Sequence, residues 1–378
     1  MNILEAVLGV SLVLLVLWEG FETIVLPRRV TRRFRFTRFF YRRTWLPWAR
    51  MVRFVIPERW QETLLSIFGP LSLLLLMSIW VAGLITGFAL LYWSIGSSIV
   101  MGQGGTGFFI DFYLSGTSFF TLGLGDVVPR NSLARALVVI ESGMGFGFLA
   151  LVISYLPALN QSFARREVSI SLLDERAGSP PTASEMLLRN GRERGLEDLK
   201  ELLHEWERWS AELLEGHLSY PIMAYFRSQH DNQSWLAALS AILDTCSLIM
   251  AGLEGSCRRQ AELTFAMARH AVVDLSLVFR QKPVEPKPSR LPPEKLAELR
   301  TLLAERNLKL DDGKAVDQKL AELRHLYEPY VHALALYFRL RIPPWVAAKS
   351  WVDNWQATMW ERPASRKVIL EQTKGEHF

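Results

Sequence analysis

The sequence predicts an all-α membrane protein: three transmembrane helices, a short re-entrant helix between the second and third, and an all-helical cytoplasmic C-terminal domain. Three observations carry this. Half of the 378 residues are hydrophobic and mean hydropathy is +0.13, yet 21% are charged, a mixture that suits a chain partly in lipid and partly in water. Three apolar runs reach spanning length, and the later half reads as amphipathic helices separated by Pro and Gly. Charge is also segregated: residues 1–162 hold thirteen Arg and eight acids, whereas residues 163–378 hold thirty basic and thirty acidic side chains. The basic excess therefore belongs to the membrane half and does not signal nucleic-acid binding.

Residues 3–27 form the first run, long enough for a hydrocarbon core of about 30 Å. Its acidic start (Glu5) and its lack of a small-residue cleavage site predict a retained helix rather than a secretory signal. Residues 64–95 supply a second, longer run with Gly69-Pro70 near its start, and its length implies tilt or an interfacial extension. Residues 133–157 supply the third. The loop 28–59 contains eleven Arg and one acid, Glu58, while 96–131 has Arg130 as its one basic residue. Positive charge stays on the cytoplasmic side, so the chain is expected in the cell membrane, multi-pass, with its N-terminus and 96–131 outside and everything after Pro157 inside. Cys246 and Cys257 are too few for a disulfide framework and suit a reducing compartment.

Between the second and third runs lies an apolar stretch of about a dozen residues from Gly107, followed by Thr121-Leu122-Gly123-Leu124-Gly125-Asp126. It is too short to cross a bilayer. Irregular backbone at membrane depth survives only where protein buries it or where it lines a water-filled path. Alternating left- and right-handed torsions would turn successive carbonyls to one side, and Gly123 and Gly125 accept them without a Cβ penalty. Four such strands around an axis would present rings of carbonyl oxygens that replace an ion's water shell.

These residues resemble the potassium-channel signature Thr-x-Gly-[Tyr/Phe/Leu]-Gly-Asp. The resemblance covers roughly residues 64–160 and includes the preceding pore-helix pattern, the Asp126-x-x-Pro129 exit and Gly145, nineteen residues past Asp126, where many members of the superfamily have an inner-helix hinge. The Leu-containing version is similar to the second pore segment of some two-pore-domain potassium channels, but this chain has one copy. The resemblance implies a potassium-selective channel subunit that conducts passively as a homotetramer. Its filter would be Thr121 to Gly125, with Asp126 at the exit and K+ as the permeant ion, and no cofactor is expected. Two departures bear on selectivity. Leu124 replaces the usual Tyr, whose hydroxyl bonds to the pore helix, and Phe120 stands where a second Thr or Ser is common. A poorly selective cation channel is one alternative, and a membrane-anchored sensor with a vestigial pore is another. No nucleophile, paired carboxylate site or phosphate loop points to an enzyme.

Several further residues carry expectations. Gly143, Gly145 and Gly147 permit close packing or gate opening, with Gly145 favoured as the hinge. Pro157 ends the third helix or bends it at a lower gate. Glu141 either faces a cavity below the filter or braces the pore helix through a Ser or Thr hydroxyl, since an ionisable group there needs a partner or water. Glu19 and Glu22 are expected to pair with Arg28 or Arg29, and Asp111 to begin the pore helix at its positive end. The Arg loop interleaves aromatics, as in Arg38-Phe-Phe-Tyr-Arg-Arg43, which suits an anionic headgroup zone. It orients the chain or forms a lipid-sensitive surface helix.

In the later half, the segment after Arg166 reads as a loop to Pro181, and Thr182-Ala-Ser-Glu185 as a capping box. Helices are expected at 197–214, 233–252, 258–279, 294–306, 314–340 and 345–360, with Lys282 to Pro288 a stiff linker. Residues 235–253 are apolar enough to raise a fourth span, although Asp244 at their centre favours a buried soluble helix. Arg227 to Gln233 reads as a loop and helix N-cap, with His230 and Asp231 available to a small ligand or ion. The resulting division is an extra N-terminal span (1–27), an Arg-rich interfacial segment (28–62), a pore domain (63–160), a helical domain that modulates gating (161–281), a Pro-rich linker (282–293) and a C-terminal helical region (294–378). The gating stimulus and any regulatory ligand are not legible.

Overall fold

Long Leu-, Val- and Ile-rich runs with few polar interruptions satisfy their backbone internally as helices, and the computed structural model places three of them at spanning length: Ile3–Val25, Arg59–Ile95 and Ser132–Ala177. It describes residues 2–26, 35–96, 98–100, 107–191, 195–230, 232–253, 257–348 and 353–354. These fall into two compact units, Met1–Gln161 and Ser162–Phe378.

In the first unit, α1 (Ile3–Gly20) continues through a π-helical turn (Phe21–Val25) and packs along α3 (Glu58–Ile95). Small residues set the distance of approach, since a Cβ on Gly9 would lie 2.7 Å from the Gly87 carbonyl oxygen and one on Gly87 would lie 2.6 Å from Val13. Between them in sequence is α2 (Phe36–Val55), which buries Phe40, Tyr41, Trp45 and Val52 and sets the Trp45 ring 4.9 Å from that of Phe68 on α3. Glu19 closes the N-terminus of α2: its carboxylate accepts from the Phe36 amide (3.0 Å) and from the Thr37 amide and hydroxyl (3.3 and 3.2 Å). It thereby satisfies backbone donors that have no intrahelical acceptor. Glu22 accepts from the Trp18 indole at 2.9 Å and lies 3.7 Å from Arg35. Arg28 and Arg29 lie outside the described residues; among those described, Arg35 is a cation beside Glu22.

The short α4 (Phe108–Phe119) follows α3. A two-stranded antiparallel pair, β1 (Ser98–Val100) with β2 (Val127–Pro129), is the small non-helical addition to this unit. The third long helix, α5 (Ser132–Ala177), carries the boundary between the units and corrects two expectations. Pro157 lies inside it rather than ending it, and the predicted loop after Arg166 is helical to Ala177. The reason is spacing: Ile170, Leu173 and Ala177 recur at three and four residues and are buried, so packing sustains the helix until Gly178, at φ 81°.

The second unit comprises α6 (Ala183–Asn190), α7 (Gly195–Ser219), a 3-10 turn (Pro221–Tyr225), α8 (Trp235–Ala251), α9 (Arg258–Val278), α10 (Pro293–Ala304), α11 (Lys314–His325) and α12 (Glu328–Phe338). Thr182 caps α6 by accepting from the Glu185 amide at 3.3 Å, and Ser234 caps α8 by accepting from the Ala237 amide at 3.0 Å. The expected helix 314–340 divides in two at Tyr327, with Pro329 in the first turn of α12, a position where its missing N–H costs nothing. Trp345 to Ala348 is not helical, and most of the remainder of 345–360 lies outside the described residues.

Nearly every side chain of α8 is buried, among α6, α7, α9, α11 and α12, which accounts for its apolar sequence without a fourth span. Asp244 sits in this core under a bidentate Arg290, at 2.6 and 3.1 Å, and also accepts from the Tyr327 hydroxyl at 2.6 Å. Arg290 reaches Glu328 at 3.1 Å as well, so the Pro-rich segment delivers a cation into the core as it passes from α9 to α10.

Candidate functional site

The re-entrant segment is built from α4 upward. Its final turn is tightened by amides that reach back into the helix: Phe120 donates to the Gly116 carbonyl (3.1 Å), Thr121 to Ser118 (3.0 Å) and Leu122 to Thr117 (2.8 Å). The chain then alternates. Thr121, Gly123 and Gly125 have φ of 54°, 58° and 77°, the every-second-residue pattern that the two glycines led one to expect. Thr121 takes this torsion although it carries a Cβ, at a cost of about 1–2 kcal/mol. The side chains of Phe120, Leu122 and Leu124 are all exposed on a single copy of the chain.

Asp126 is held from two directions. One carboxylate oxygen accepts from the Val127 amide at 3.1 Å, and the other from the Tyr113 hydroxyl, on α4, at 2.9 Å. Tyr113 thus supplies a hydroxyl link between α4 and Asp126 that the Leu124 side chain cannot make. Leu124 has no hydrogen-bonding group, so attention fixed on that position misses a link made from thirteen residues upstream of Asp126.

Behind α4 stands α5, and three neighbouring residues on it engage the helix. Ser142 donates to the Ser118 carbonyl at 3.0 Å. Gly145 lies so near Phe119 that an added Cβ would fall 2.0 Å from its carbonyl oxygen, while Gly143 and Gly147 face open space. Glu141 is fully buried, one oxygen 2.5 Å from the Ser115 hydroxyl on α4 and the other accepting from Tyr92 of α3 at 2.7 Å. Glu141 thus joins hydroxyls on two other helices. Ser115 also reaches the Ile85 carbonyl of α3 at 2.8 Å, so three helices meet at one polar knot. Sequence reasoning anticipated a Ser or Thr hydroxyl here without selecting Ser115, and gave no role to Tyr92 or Ser142. The available signal was that Glu141, Ser142 and Gly145 share one face of a helix.

Asp111, buried in the first turn of α4, sits where a negative charge meets the helix's positive end. In the second unit His230 is exposed and Asp231 lies outside the described residues. No group of three His, Cys, Asp or Glu side chains arranged to hold a metal occurs among the described residues.

Residues 75–161 match the Ion_trans_2 family model, described as "Ion channel". That stretch contains most of α3, all of α4, the alternating segment and the first two-thirds of α5. The chain is also similar to the "Uncharacterized membrane protein YdjJ" of Bacillus subtilis (strain 168), with 27% identity over 197 residues, which is 50% of this chain and 55% of that protein. The chain thus spans about half the length of this curated relative. No solved structure matches.

Proposed function

We propose, from an ion-channel segment of the pore-loop type at residues 75–161, that this membrane protein is a potassium channel subunit. The single observation that carries the reading is the left-handed backbone at Thr121, Gly123 and Gly125, placed directly after a helix too short to span. Carbonyls from Thr121 to Gly125 are the proposed ligands, and they act by replacing the hydration shell of a passing cation. One copy supplies one strand of such a site, so the functional form is a homotetramer. The exposed Leu122 and Leu124 fit packing between copies rather than contact with water.

The proposed gate uses the same contacts. Gly145 meets the carbonyl end of α4, so displacement of α5 there would pull directly on the filter's base. The exposed face of α2 mixes Phe39, Met51, Phe54 and Val55 with Arg42, Arg43, Arg50 and Arg53, and Arg43 lies over the Phe39 ring at 5.1 Å. That face suits anionic lipid headgroups, and with the charge pattern it supports a cytoplasmic position for α2 and for the second unit. The helical second unit is the proposed modulator of gating.

The test is K+ flux into liposomes holding the purified protein, with and without Gly123→Ala. That change puts a Cβ on a left-handed residue, at roughly 1 kcal/mol or more per strand, and should abolish flux while the tetramer survives. Flux undiminished by the substitution would remove the filter from these residues. The reversal potential with K+ on one side and Na+ on the other separates a selective from an unselective pore.

A further inference from the structure

The knot at Glu141 has three hydrogen-bond contacts but two hydroxyl groups, Tyr92 and Ser115, to supply them. Three contacts converge there: Tyr92 hydroxyl to one Glu141 oxygen (2.7 Å), Ser115 hydroxyl to the other (2.5 Å), and the same Ser115 hydroxyl to the Ile85 carbonyl (2.8 Å). Tyr92 has one proton to give and so has Ser115. An ionised Glu141 offers acceptors alone, so either the Glu141 contact or the Ile85 contact would then set two oxygens together with no hydrogen between them. In a fully buried site such a contact is unfavourable, the more so beside a charge.

We infer that Glu141 carries the missing proton, as a neutral carboxylic acid whose O–H donates to Ser115, which passes its own hydrogen on to the Ile85 carbonyl. Three hydrogens then serve three contacts. The chain Glu141 to Ser115 to Ile85, with Tyr92 donating to the other Glu141 oxygen, ties α5 to the pore helix and both to α3. Glu141 touches no part of the filter itself and is a positioning residue. It acts through Ser115, which lies one and a half turns before the filter begins.

The surroundings agree. Among the described residues no cationic side chain reaches Glu141. Of the titratable groups on α3 and α4, Tyr92 is its donor, Tyr113 is bonded to Asp126, Asp111 lies in the first turn of α4, and Arg59 and Glu62 lie at the opposite end of α3 from Tyr92. The acids of α1, Glu5 and Glu19, and Glu22 of the π-helical turn after it are engaged with Asn2, Thr37 and Trp18. An ionised Glu141 would be answered by hydroxyl groups alone, whereas the neutral acid also supplies the hydrogen for the third contact. Loss of the proton would cut one of the three links and loosen the pore helix, so conduction should fall as pH rises.

This rests on the channel reading, and the experiment keeps the two apart. K+ flux is measured in liposomes across a pH series for the wild type, Glu141→Gln and Glu141→Ala, and the protonated-carboxyl infrared band is recorded in the same samples. Gln keeps a donor toward Ser115 and an acceptor for Tyr92 but cannot titrate. The expected result is wild-type flux that declines several-fold toward alkaline pH, a flat profile for Glu141→Gln at the wild-type's acidic level, and reduced flux at every pH for Glu141→Ala. A carboxyl band should be present in the wild type and lost in both variants. Matching pH profiles for wild type and Glu141→Gln, or a carboxyl band unchanged by Glu141→Gln, would overturn the proposal while leaving the pore intact. Absence of flux in the wild type at all pH values would count against the channel reading, and the infrared band would still decide the protonation of Glu141.

Discussion

Gly145 approaches the Phe119 carbonyl so closely that a methyl group in place of its hydrogen would overlap the oxygen, at 2.0 Å. The contact joins the first third of α5 to Phe119, the last residue of α4. Both partners are backbone, so neither can rotate away. Gly145→Ala should therefore push α5 and α4 apart, at about 1–3 kcal/mol per copy, and reduce K+ flux at least tenfold. Gly143→Ala and Gly147→Ala meet open space on one copy and should leave the melting temperature within the scatter of surface changes, about 0.5 kcal/mol. Near-normal flux through Gly145→Ala would show that the helices need not touch there.

Tyr113 and Asp126 join α4 to the proposed filter exit. Tyr113→Phe removes a hydroxyl without changing the ring, and the lost hydrogen bond is worth at most about 1 kcal/mol at this exposed site. Folding and assembly should be unchanged. The effect should appear in conduction, as a smaller shift of reversal potential between K+ and Na+ or as current that runs down faster. A Phe variant with the wild-type's selectivity and time course would leave Tyr113 without a role in the filter.

Arg290 answers two buried acids, Asp244 and Glu328, in the second unit. Arg290→Ala leaves both without that cation, and removing one partner of a buried pair costs about 3–5 kcal/mol. Thermal unfolding of the full-length protein should show a clear drop for the second unit's transition. Asp244→Asn combined with Arg290→Met, which removes charge from both sides, should recover part of it. A melt indifferent to Arg290→Ala would mean that the aromatic and aliphatic core holds α8 in place by itself.

His217 gives the second unit an acid sensitivity of definite sign. Burial first, and the Arg166 charge next, depress its pKa from 6.5 to about 3, and its Nδ1–H donates to the Leu213 carbonyl at 2.7 Å. Between those two values the unfolded chain takes up a proton that the folded chain refuses, so stability falls as pH falls through that window and is unaffected above it. From about pH 7.5 to about pH 5 the loss is of order 2 kcal/mol. Differential scanning at the two pH values should show a smaller fall for His217→Gln than for the wild type. Equal falls would place the sensitivity elsewhere.

Apolar run length, the Arg-rich loop and the spacing of Gly123 and Gly125 determined the three long helices, the re-entrant helix and the left-handed backbone at the alternating segment. Each is a local property, governed by the thickness of a bilayer, by backbone satisfaction in lipid or by the absence of a Cβ. The N-caps at Thr182 and Ser234 and the buried helix α8 were legible for similar reasons. Tertiary structure alone decided where polar groups find partners across distance. Glu19 closes α2, Tyr113 reaches Asp126, and Glu141 selects Ser115 and Tyr92 from several candidate hydroxyls. Packing likewise overrode local signals at Pro157, where one lost backbone hydrogen bond is outweighed by the buried face that α5 continues to present as far as Ala177. Such pairings depend on which helix faces meet, and only the folded chain brings those faces together.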